Sequence, residues 1–417
     1  MRNIRSFLLL CFVLIMMLPS CAAVPEDVQQ DVDAFRQARE EAEKLEKEMN
    51  FILISDVYKN TPKTVQYKNG VINIDAKVCV PQADKMYKLE LAPNDLYAEK
   101  DVLLKSFLDE KSYANWESLQ YKDSPLDKPI FYNGIEHKEY GGKGHFSIEF
   151  GSNMALSFNR CGWISLCDTT TMDNYHFFPG TGGILTSKTF FYDEIGDDFP
   201  ESTVLDGKNC KAVDAWKQFV ETVSYFAQRV PNFNYKPYSL EFYDNVEDSS
   251  SKAIACRAVY EYNGVAFDPM FIDSQDKKNY DISRVCFGFY QNFHSLNDDC
   301  YLALRDSYKV TKELESYDKI LDLDSAVKLL QASLAKERFA NIDTIELMYG
   351  TYYYGDKGDE WAGSYEEPPQ FYAEPYWKFT ERADGEDEEN MQGLSTVHYV
   401  NAVTGEFYSY NSCMYFG

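Results

Sequence analysis

The sequence YKNGVINIDAKVCVP, from Tyr67 to Pro81, decides the class of fold. Asn69 and Gly70 are the residues that a tight hairpin turn prefers. Alternate positions after this turn fall into an apolar set and a mostly polar set: Ile72, Ile74, Ala76 and Val78 against Val71, Asn73, Asp75 and Lys77. Such a strand has one face in a core and one in water, so the sequence predicts an antiparallel sheet covered on a single side.

Further helix and strand patterns extend from this hairpin in both directions. The predicted helices are 25–50, 94–113, 212–229 and 325–337, and the predicted later strands are 129–132, 145–150, 154–158, 184–192, 238–243, 253–262, 284–290, 301–311, 344–354, 372–380, 395–401 and 406–410. After the first helix, each predicted helix is followed by several strands and not by a single one. This order predicts an α+β fold, with tandem units of one helix packed on an antiparallel sheet.

A polar, turn-rich stretch from Gly196 to Asn209 marks the predicted domain boundary. We expect an N-terminal domain at 51–200 and a C-terminal domain at 206–417, the latter divided into units at about 206–315 and 316–417. A sheet with a helix on one face leaves its other face free to pack against a neighbour. The sequence therefore predicts a cleft or seam between units.

The first twenty residues have the three parts of a secretory signal. Arg2 and Arg5 are followed by an apolar stretch from Phe7 to Leu18 and then by small residues around Cys21. The apolar stretch is too short to cross about 30 Å of hydrocarbon as a permanent span. We expect residues 1–20 to be cleaved.

The end of this leader resembles the lipobox of bacterial lipoproteins, in which a Leu and a small residue precede a cysteine that becomes acylated. Leu18, Ser20 and Cys21 match this pattern. The resemblance implies lipidation of Cys21 and an anchor at the outer face of the cytoplasmic membrane. The composition of residues 25–50, with a proline at the start and acids in the first turn, separately predicts a helix. We therefore expect a lipidated N-terminus and helical stalk over residues 21–50, or a helix that lies on the first domain. The alternative is cleavage near Ala23, which releases the protein.

The charge of the chain limits its partners. Removing residues 1–20 takes away two arginines and no acids, so the net charge goes from −26 to −26 − 2 = −28. This field repels phosphate backbones and anionic lipid headgroups, which excludes nucleic acid and leaves the lipid as the only contact with the membrane. The oligomeric state stays open.

Ten cysteines are present, of which eight remain after Cys11 and Cys21 are set aside. An even number outside the membrane permits disulfides, and we expect at least one. The candidate pairs are Cys161 with Cys167 and Cys286 with Cys300.

Three C-terminal segments carry a family resemblance: IELMY from Ile345, EPYWKF from Glu374 and YVNAVTGEF from Tyr399. They resemble the closing strands of PepSY-type and YycH/YycI-type extracytoplasmic domains, with Thr404–Gly405 as the hairpin turn. Members of those families are membrane-tethered modules that bind and modulate proteases or sensor kinases. As a whole the chain resembles large lipoproteins of Gram-positive gut bacteria.

The sequence contains no recognisable catalytic, cofactor or metal motif. The five histidines form neither HExxH nor a pair at helical spacing, and no GxSxG or cysteine-protease signature occurs. We therefore expect a non-enzyme without a cofactor. A hydrolase that uses two carboxylates is an alternative, since acids are too numerous to single out a pair.

The aromatic segment from Trp361 to Trp377 is the candidate ligand surface. Trp361 and Tyr365 lie among Gly, Pro and Glu, a mixture that suits stacking on sugar rings, whereas Trp377 is expected in the core. The sequence thus predicts a surface lipoprotein that binds an envelope protein or ligand. The main alternative is carbohydrate or cell-wall binding through Trp361 and Tyr365.

Overall fold

The computed structural model describes most of the chain beyond residue 48. The described residues are 49–119, 130–132, 135–137, 145–151, 154–159, 162, 164–168, 184–205, 208–245, 252–271, 288–293, 300–305, 308–334, 340–353, 371–381 and 394–413. They combine a few helices with large, mainly antiparallel sheets. The predicted α+β class is therefore confirmed.

Helices contribute a small share of the described residues. They are α1 (Ile54–Asn60), α2 (Lys100–Phe107), α3 (Glu110–Ala114), α4 (Trp116–Leu119), α5 (Ala212–Ala227) and α6 (Leu323–Leu334), with a 3-10 turn at Tyr192–Glu194. The two longest, α5 and α6, bury one face each. Phe219, Val223 and Phe226 lie on the buried side of α5, and the helical spacing of these side chains explains why this segment packs against a sheet.

The strands of the described residues run through the whole chain. In the first half they are β1 (Phe51–Leu53), β2 (Thr64–Lys68), β3 (Ile72–Cys79), β4 (Met86–Pro93), β5 (Ile130–Tyr132), β6 (Ile135–His137), β7 (His145–Phe150), β8 (Met154–Asn159), β9 (Ile164–Asp168), β10 (Ile184–Phe191), β11 (Ser202–Leu205) and β12 (Lys208–Lys211). In the second half they are β13 (Tyr235–Asn245), β14 (Lys252–Tyr262), β15 (Val265–Phe271), β16 (Gly288–Phe293), β17 (Cys300–Arg305), β18 (Tyr308–Tyr317), β19 (Lys319–Leu321), β20 (Ala340–Tyr353), β21 (Phe371–Glu381), β22 (Leu394–Asn401) and β23 (Phe407–Cys413).

A long antiparallel pair, β20 with β21, is the centre of what we call the first sheet. One half of this pair is flanked by β3 and β2 on one side and by β22 and β23 on the other. Its other half is flanked by β15 and by β4 with β18. The pairings of β20 with β3 and with β15 are parallel, an addition to the antiparallel sheet that the sequence predicts.

The second sheet is antiparallel throughout, with the order β10-β13-β14-β16-β17-β9-β8-β7. Helix α5 packs on β13 and β14, and α6 packs on β22 and β23 of the first sheet. A short pairing of β14 with β15 joins the two sheets. Buried side chains from both sheets belong to one continuous hydrophobic cluster, so the described parts of the two sheets share a core.

Strand pairs connect the two sides of the predicted boundary at residues 200–206. β3 and β4 pair with β20, β21 and β18, and β10 pairs with β13. The observed pairing thus does not follow the predicted division into 51–200 and 206–417. The reason is that β20 and β21 each have an outer edge with backbone groups that need partners. Strands β3 and β4, from the first hundred residues, pair with part of these edges.

Two predicted elements are divided in the structure. The predicted helix 94–113 is α2 followed by α3, because Leu108 is extended and the Asp109 side chain accepts a hydrogen bond from the Ser112 amide at 2.7 Å. Such a cap starts a new helix. The predicted strand 301–311 falls on β17 and β18. Residues 25–48 of the predicted helix 25–50 lie outside the described residues, and its last two residues, Met49 and Asn50, are not helical.

Candidate functional site

A buried ionic network lies on the face of the first sheet opposite Trp377. Lys378 Nζ on β21 is 3.0 Å from Asp268 Oδ1 on β15 and 3.6 Å from Glu346 Oε2 on β20. Tyr399 donates to Asp268 Oδ2 at 2.8 Å, and Tyr238 donates to Glu346 Oε1 at 2.7 Å. Because Tyr238 belongs to β13, this last bond ties the second sheet to the first.

A partly buried guanidinium extends the network on the second sheet. Arg257 Nη2 is 3.3 Å from Glu241 Oε1, and Arg257 Nε donates to Ser239 Oγ at 3.2 Å. The Ser239 hydroxyl in turn donates to Glu241 Oε1 at 3.0 Å. Charged groups inside a protein are costly unless they are paired and hydrogen-bonded, and this arrangement meets that requirement.

The electrostatics of the network favour stable charges over reactive ones. Burial opposes ionisation of Glu346, yet Lys378 and Arg257 hold the pKa of its carboxyl below the ordinary value. Burial, assisted by Glu346, raises the pKa of the neighbouring Cys79 thiol to about 12. A thiol of this kind is neutral at physiological pH and is a poor nucleophile. The network therefore positions strands and does not supply an activated group.

A second polar group joins a serine, a histidine and a glutamate on β23, β22 and β21. Ser409 Oγ is 2.9 Å from His398 Nδ1, and His398 Nε2 is 2.6 Å from Glu381 Oε1. The imidazole is buried, with 0% of its side chain exposed, and its ring stacks on Phe407 at 5.9 Å between centroids. Ser409 is an exposed residue, and its hydrogen bond to His398 is partly buried. We call these three residues the Ser–His–Glu group.

The hairpin between β22 and β23 places this group. Gly405 adopts a φ of +80°, and the Asn401 side chain accepts hydrogen bonds from the amides of Val403 and Thr404 at 2.8 and 2.9 Å. The turn predicted at Thr404–Gly405 is therefore confirmed. It sets a register in which His398 lies directly opposite Ser409.

The chemistry available to the Ser–His–Glu group follows from its hydrogen bonds. With the proton of the neutral imidazole on Nε2, that nitrogen donates to Glu381 and Nδ1 accepts from the Ser409 hydroxyl. A nucleophile within hydrogen-bond distance of a base, itself oriented by a third group, is the arrangement that activates a hydroxyl.

An exposed apolar corner lies where the chain enters the folded body. Met49, Phe51 and Leu53 are 37%, 38% and 45% exposed. Positions 49, 51 and 53 have the spacing of one face of a strand, and Ile52 between them packs against the core. We call Met49, Phe51 and Leu53 the apolar corner.

The apolar corner is held firmly to the rest of the molecule. The Asn50 amide donates to Ser325 Oγ at 3.0 Å, and the Asn50 carbonyl accepts from the Asp322 amide at 3.0 Å. β1 pairs with β19, which precedes α6 directly. The corner is therefore a fixed part of the surface beside α6.

The predicted site residues have different outcomes. Trp377 is confirmed as a core residue, with 0% exposure and a hydrogen bond from its indole nitrogen to the Leu321 carbonyl at 2.9 Å. Cys21, Trp361, Tyr365 and Cys161 lie outside the described residues, as does Cys286, and the side chains of Cys167 and Cys300 are not described. Their roles stay predictions. Cys79 and Cys210 are free thiols among the described residues.

Sequence motifs do not identify the Ser–His–Glu group, because its members come from three strands. A usable signal nevertheless exists. Once the turn is placed at Thr404–Gly405, counting outward along both strands sets His398 and Ser409 opposite each other. Glu381 needs the additional pairing of β21 with β22, which the sequence does not indicate.

Two kinds of feature are absent from the described residues. Among them no set of three or more histidine, cysteine, aspartate or glutamate side chains is arranged to hold a metal ion. In the same part of the chain, no helix has the length and apolar character needed to cross a membrane.

Comparison with known proteins adds little. No family model matches the chain, and no curated protein matches it. Among solved structures, the chain is similar to an uncharacterized protein from Eubacterium rectale ATCC 33656, with 12% identity, a TM-score of 0.49, and coverage of 88% of this chain and 97% of that one. At this TM-score the similarity carries no argument about function.

Proposed function

We propose that this chain is an exported protein, held by a lipid on Cys21 at the outer face of the cytoplasmic membrane, which binds an envelope protein through its apolar corner. The observation that carries the proposal is the position of the corner. Met49, Phe51 and Leu53 lie at the body end of the predicted stalk and are exposed, and Phe51 and Leu53 belong to a strand that pairs with β19. Exposed apolar clusters of this kind mark interaction sites.

The geometry of the anchor supports a partner close to the membrane. If residues 25–48 form a helix, as the sequence predicts for 25–50, these 24 residues span about 36 Å at 1.5 Å per residue. The apolar corner is at the body end of this stalk. It therefore faces the layer in which the extracytoplasmic parts of other membrane proteins lie.

The charge of the chain supports a protein over a lipid as the partner. A net charge of −26 for the full sequence repels anionic headgroups, so the corner gains nothing from the surface potential of a bacterial membrane. A protein surface with apolar side chains and basic residues at its rim suits both the corner and its surroundings.

The packing of the sheets supports a surface site over an internal cleft. Buried side chains from the predicted units pack together in one hydrophobic cluster, and the Tyr238–Glu346 hydrogen bond joins two of these units. Binding is therefore proposed at the outer surface. The carbohydrate alternative depends on Trp361 and Tyr365, which the structure does not describe.

The proposal is tested by cross-linking in intact cells that express the full chain. The variant Phe51→Glu/Leu53→Glu places charge on the corner without disturbing buried side chains, and we expect it to lose at least about tenfold of the specific cross-linked product. The matched control is Val102→Glu/Leu314→Glu, because these side chains are 46% and 38% exposed on other elements. Equal loss in both variants, or retention in both, contradicts the proposal.

The anchor is tested on the same cells. Mass spectrometry of the N-terminal peptide should show acylated Cys21 as the first residue, and Cys21→Ala should move the protein from the membrane fraction to the medium or leave its leader uncleaved. An unmodified Cys21 thiol, or a mature chain that begins near Val24, would show that the corner acts without a lipid anchor.

A further inference from the structure

We propose that the Ser–His–Glu group is a hydrolytic site for uncharged carboxylic esters, with Ser409 as nucleophile, His398 as general base and acid, and Glu381 as the residue that positions the imidazole. This inference goes beyond the binding role proposed above and is independent of it. It rests on the three side chains and on the strand edge that carries them.

The geometry separates the three roles. Ser409 is exposed, whereas His398 is fully buried and has both ring nitrogens occupied, at 2.9 Å from Ser409 Oγ and 2.6 Å from Glu381 Oε1. Stacking on Phe407 fixes the ring plane. A base with a fixed plane and a fixed tautomer keeps its lone pair directed at the hydroxyl without further ordering.

The backbone pattern of the hairpin explains why serine and histidine are so close. The Asn401 amide donates to the Glu406 carbonyl, which makes this pair a hydrogen-bonded one. Counting back in twos, Tyr399 and Tyr408 form the next hydrogen-bonded pair, and His398 with Ser409 is a non-hydrogen-bonded pair. In such pairs the side chains lie closest together.

The same pattern leaves a donor beside the nucleophile. In a non-hydrogen-bonded pair the backbone amide points away from the partner strand, and within the described residues the registered partner of β23 is β22. The Ser409 amide therefore lies along the edge of the sheet, next to its own hydroxyl. An acyl oxygen at this edge would accept that N–H as negative charge develops on it.

The reaction is written as two balanced displacements. Ser409 Oγ attacks the ester carbonyl carbon while its proton moves to His398 Nδ1, and collapse of the tetrahedral adduct breaks the bond to the alcohol oxygen, which takes that proton. Water then attacks the acyl-serine, giving a proton to His398 Nδ1, and the departing Ser409 Oγ receives it. The net change is ester plus water to carboxylic acid plus alcohol.

Two observations define the substrate class. The net charge of −26 disfavours anionic substrates such as phosphodiesters. The position of Ser409 on an exposed strand edge suits a group that projects from a larger molecule. An ester is preferred to an amide because its alcohol leaves with less help from a proton donor.

The test uses the full chain and two probes. A fluorophosphonate should label Ser409, identified by mass spectrometry of the tryptic peptide, and p-nitrophenyl acetate should be hydrolysed at a rate that falls at least about 100-fold in Ser409→Ala. The control is Ser118→Ala, an exposed serine whose hydroxyl donates to the Asn115 carbonyl. Glu381→Gln should lower kcat with little change in KM, because Glu381 acts through His398.

A second variant keeps the proposal falsifiable if the native substrate differs from these esters. Ser409→Cys should react with iodoacetamide at neutral pH at least about tenfold faster than Ser118→Cys, because His398 would accept the thiol proton. The readout is alkylation of the named residue. Equal alkylation rates in the two variants, together with no fluorophosphonate on Ser409, would show that the group only stabilises the hairpin.

Discussion

At the scale of single residues, Gly405 shows how a local signal and a distant contact combine. Glycine suits this position because a tight hairpin turn needs a positive φ, and the φ of Gly405 is +80°. A side chain at this position would also bring a Cβ within 3.0 Å of Met49 Sδ and 3.2 Å of Leu329 Cδ1. The second constraint comes from residues far away in sequence, so the turn pattern does not reveal it.

We predict that Gly405→Ala lowers the free energy of unfolding by about 1–3 kcal/mol, since backbone strain at positive φ is joined by crowding. The control is Gly151→Ala, where φ is +64° and no heavy atom lies within 4 Å of the added Cβ. Urea unfolding of both variants separates strain from crowding. A loss no larger at Gly405 than at Gly151 would mean that Met49 and Leu329 move aside.

The sequence predicts the burial of Trp377 but not the contacts of Cys79. Trp377 is expected in the core from its position in a strand, and it is there. Cys79 stands in the stretch that decides the fold, but its contact with the buried ionic network depends on Glu346 and Tyr238. No pattern around Cys79 names those partners, because they come from strands of other segments.

At the scale of elements, hydrophobic periodicity predicts which side chains share the buried face of a helix or strand. It fails where buried residues do not follow a regular period. α5 and α6 appear where helical spacing predicts them, and the buried positions Ile72, Ile74 and Ala76 of β3 alternate as expected. β4 was missed. Its buried residues do not follow a strict two-residue period, and its register with β18 shifts twice at bulges.

A second missed element, β15, follows a turn that the sequence does signal. Asn263 and Gly264 both have positive φ, 51° and 81°, as the two-residue turn of a hairpin requires. β15 also carries Asp268, which is 3.0 Å from Lys378. Without this hairpin, the sequence gives no position for Asp268 in the buried ionic network.

We predict that Lys378→Met destabilises the protein by about 3–5 kcal/mol, because Asp268 and Glu346 stay buried without their shared cation. The control is Lys63→Met, since the Lys63–Asp193 pair is exposed at 76% and 38% and such pairs contribute about 0–1 kcal/mol. Denaturant unfolding measures both changes. Similar values for the two variants would show that the buried charges find other partners.

At the scale of the whole molecule, the long pair of β20 with β21 organises the first sheet. β3 joins it in parallel, and the partners Ala340 and Ile72 come from opposite parts of the chain. Closing such distant contacts costs conformational entropy before the pairing stabilises them. A polar stretch between two regions therefore does not by itself separate two folding units.

We predict that neither residues 49–205 nor residues 206–417 fold alone, because each piece leaves strands of the first sheet without partners. Each fragment should lack a cooperative thermal transition, while co-expression of the two should restore one. The intact 49–417 chain is the control. Cooperative unfolding of 206–417 by itself would contradict this and would support the predicted domain division.

The sequence by itself determined the α+β class, the helices α5 and α6, the Thr404–Gly405 turn and the core position of Trp377. These features depend on spacing and turn chemistry within about twenty neighbouring residues, where hydrophobic periodicity acts. The tertiary structure alone decided the pairing of β3 with β20, the contact of Lys378 with Asp268 and Glu346, and the meeting of Ser409, His398 and Glu381. The physical reason is that strand order is set by which edges bury the most apolar surface and satisfy the most backbone bonds across the whole chain, and no local pattern carries that information.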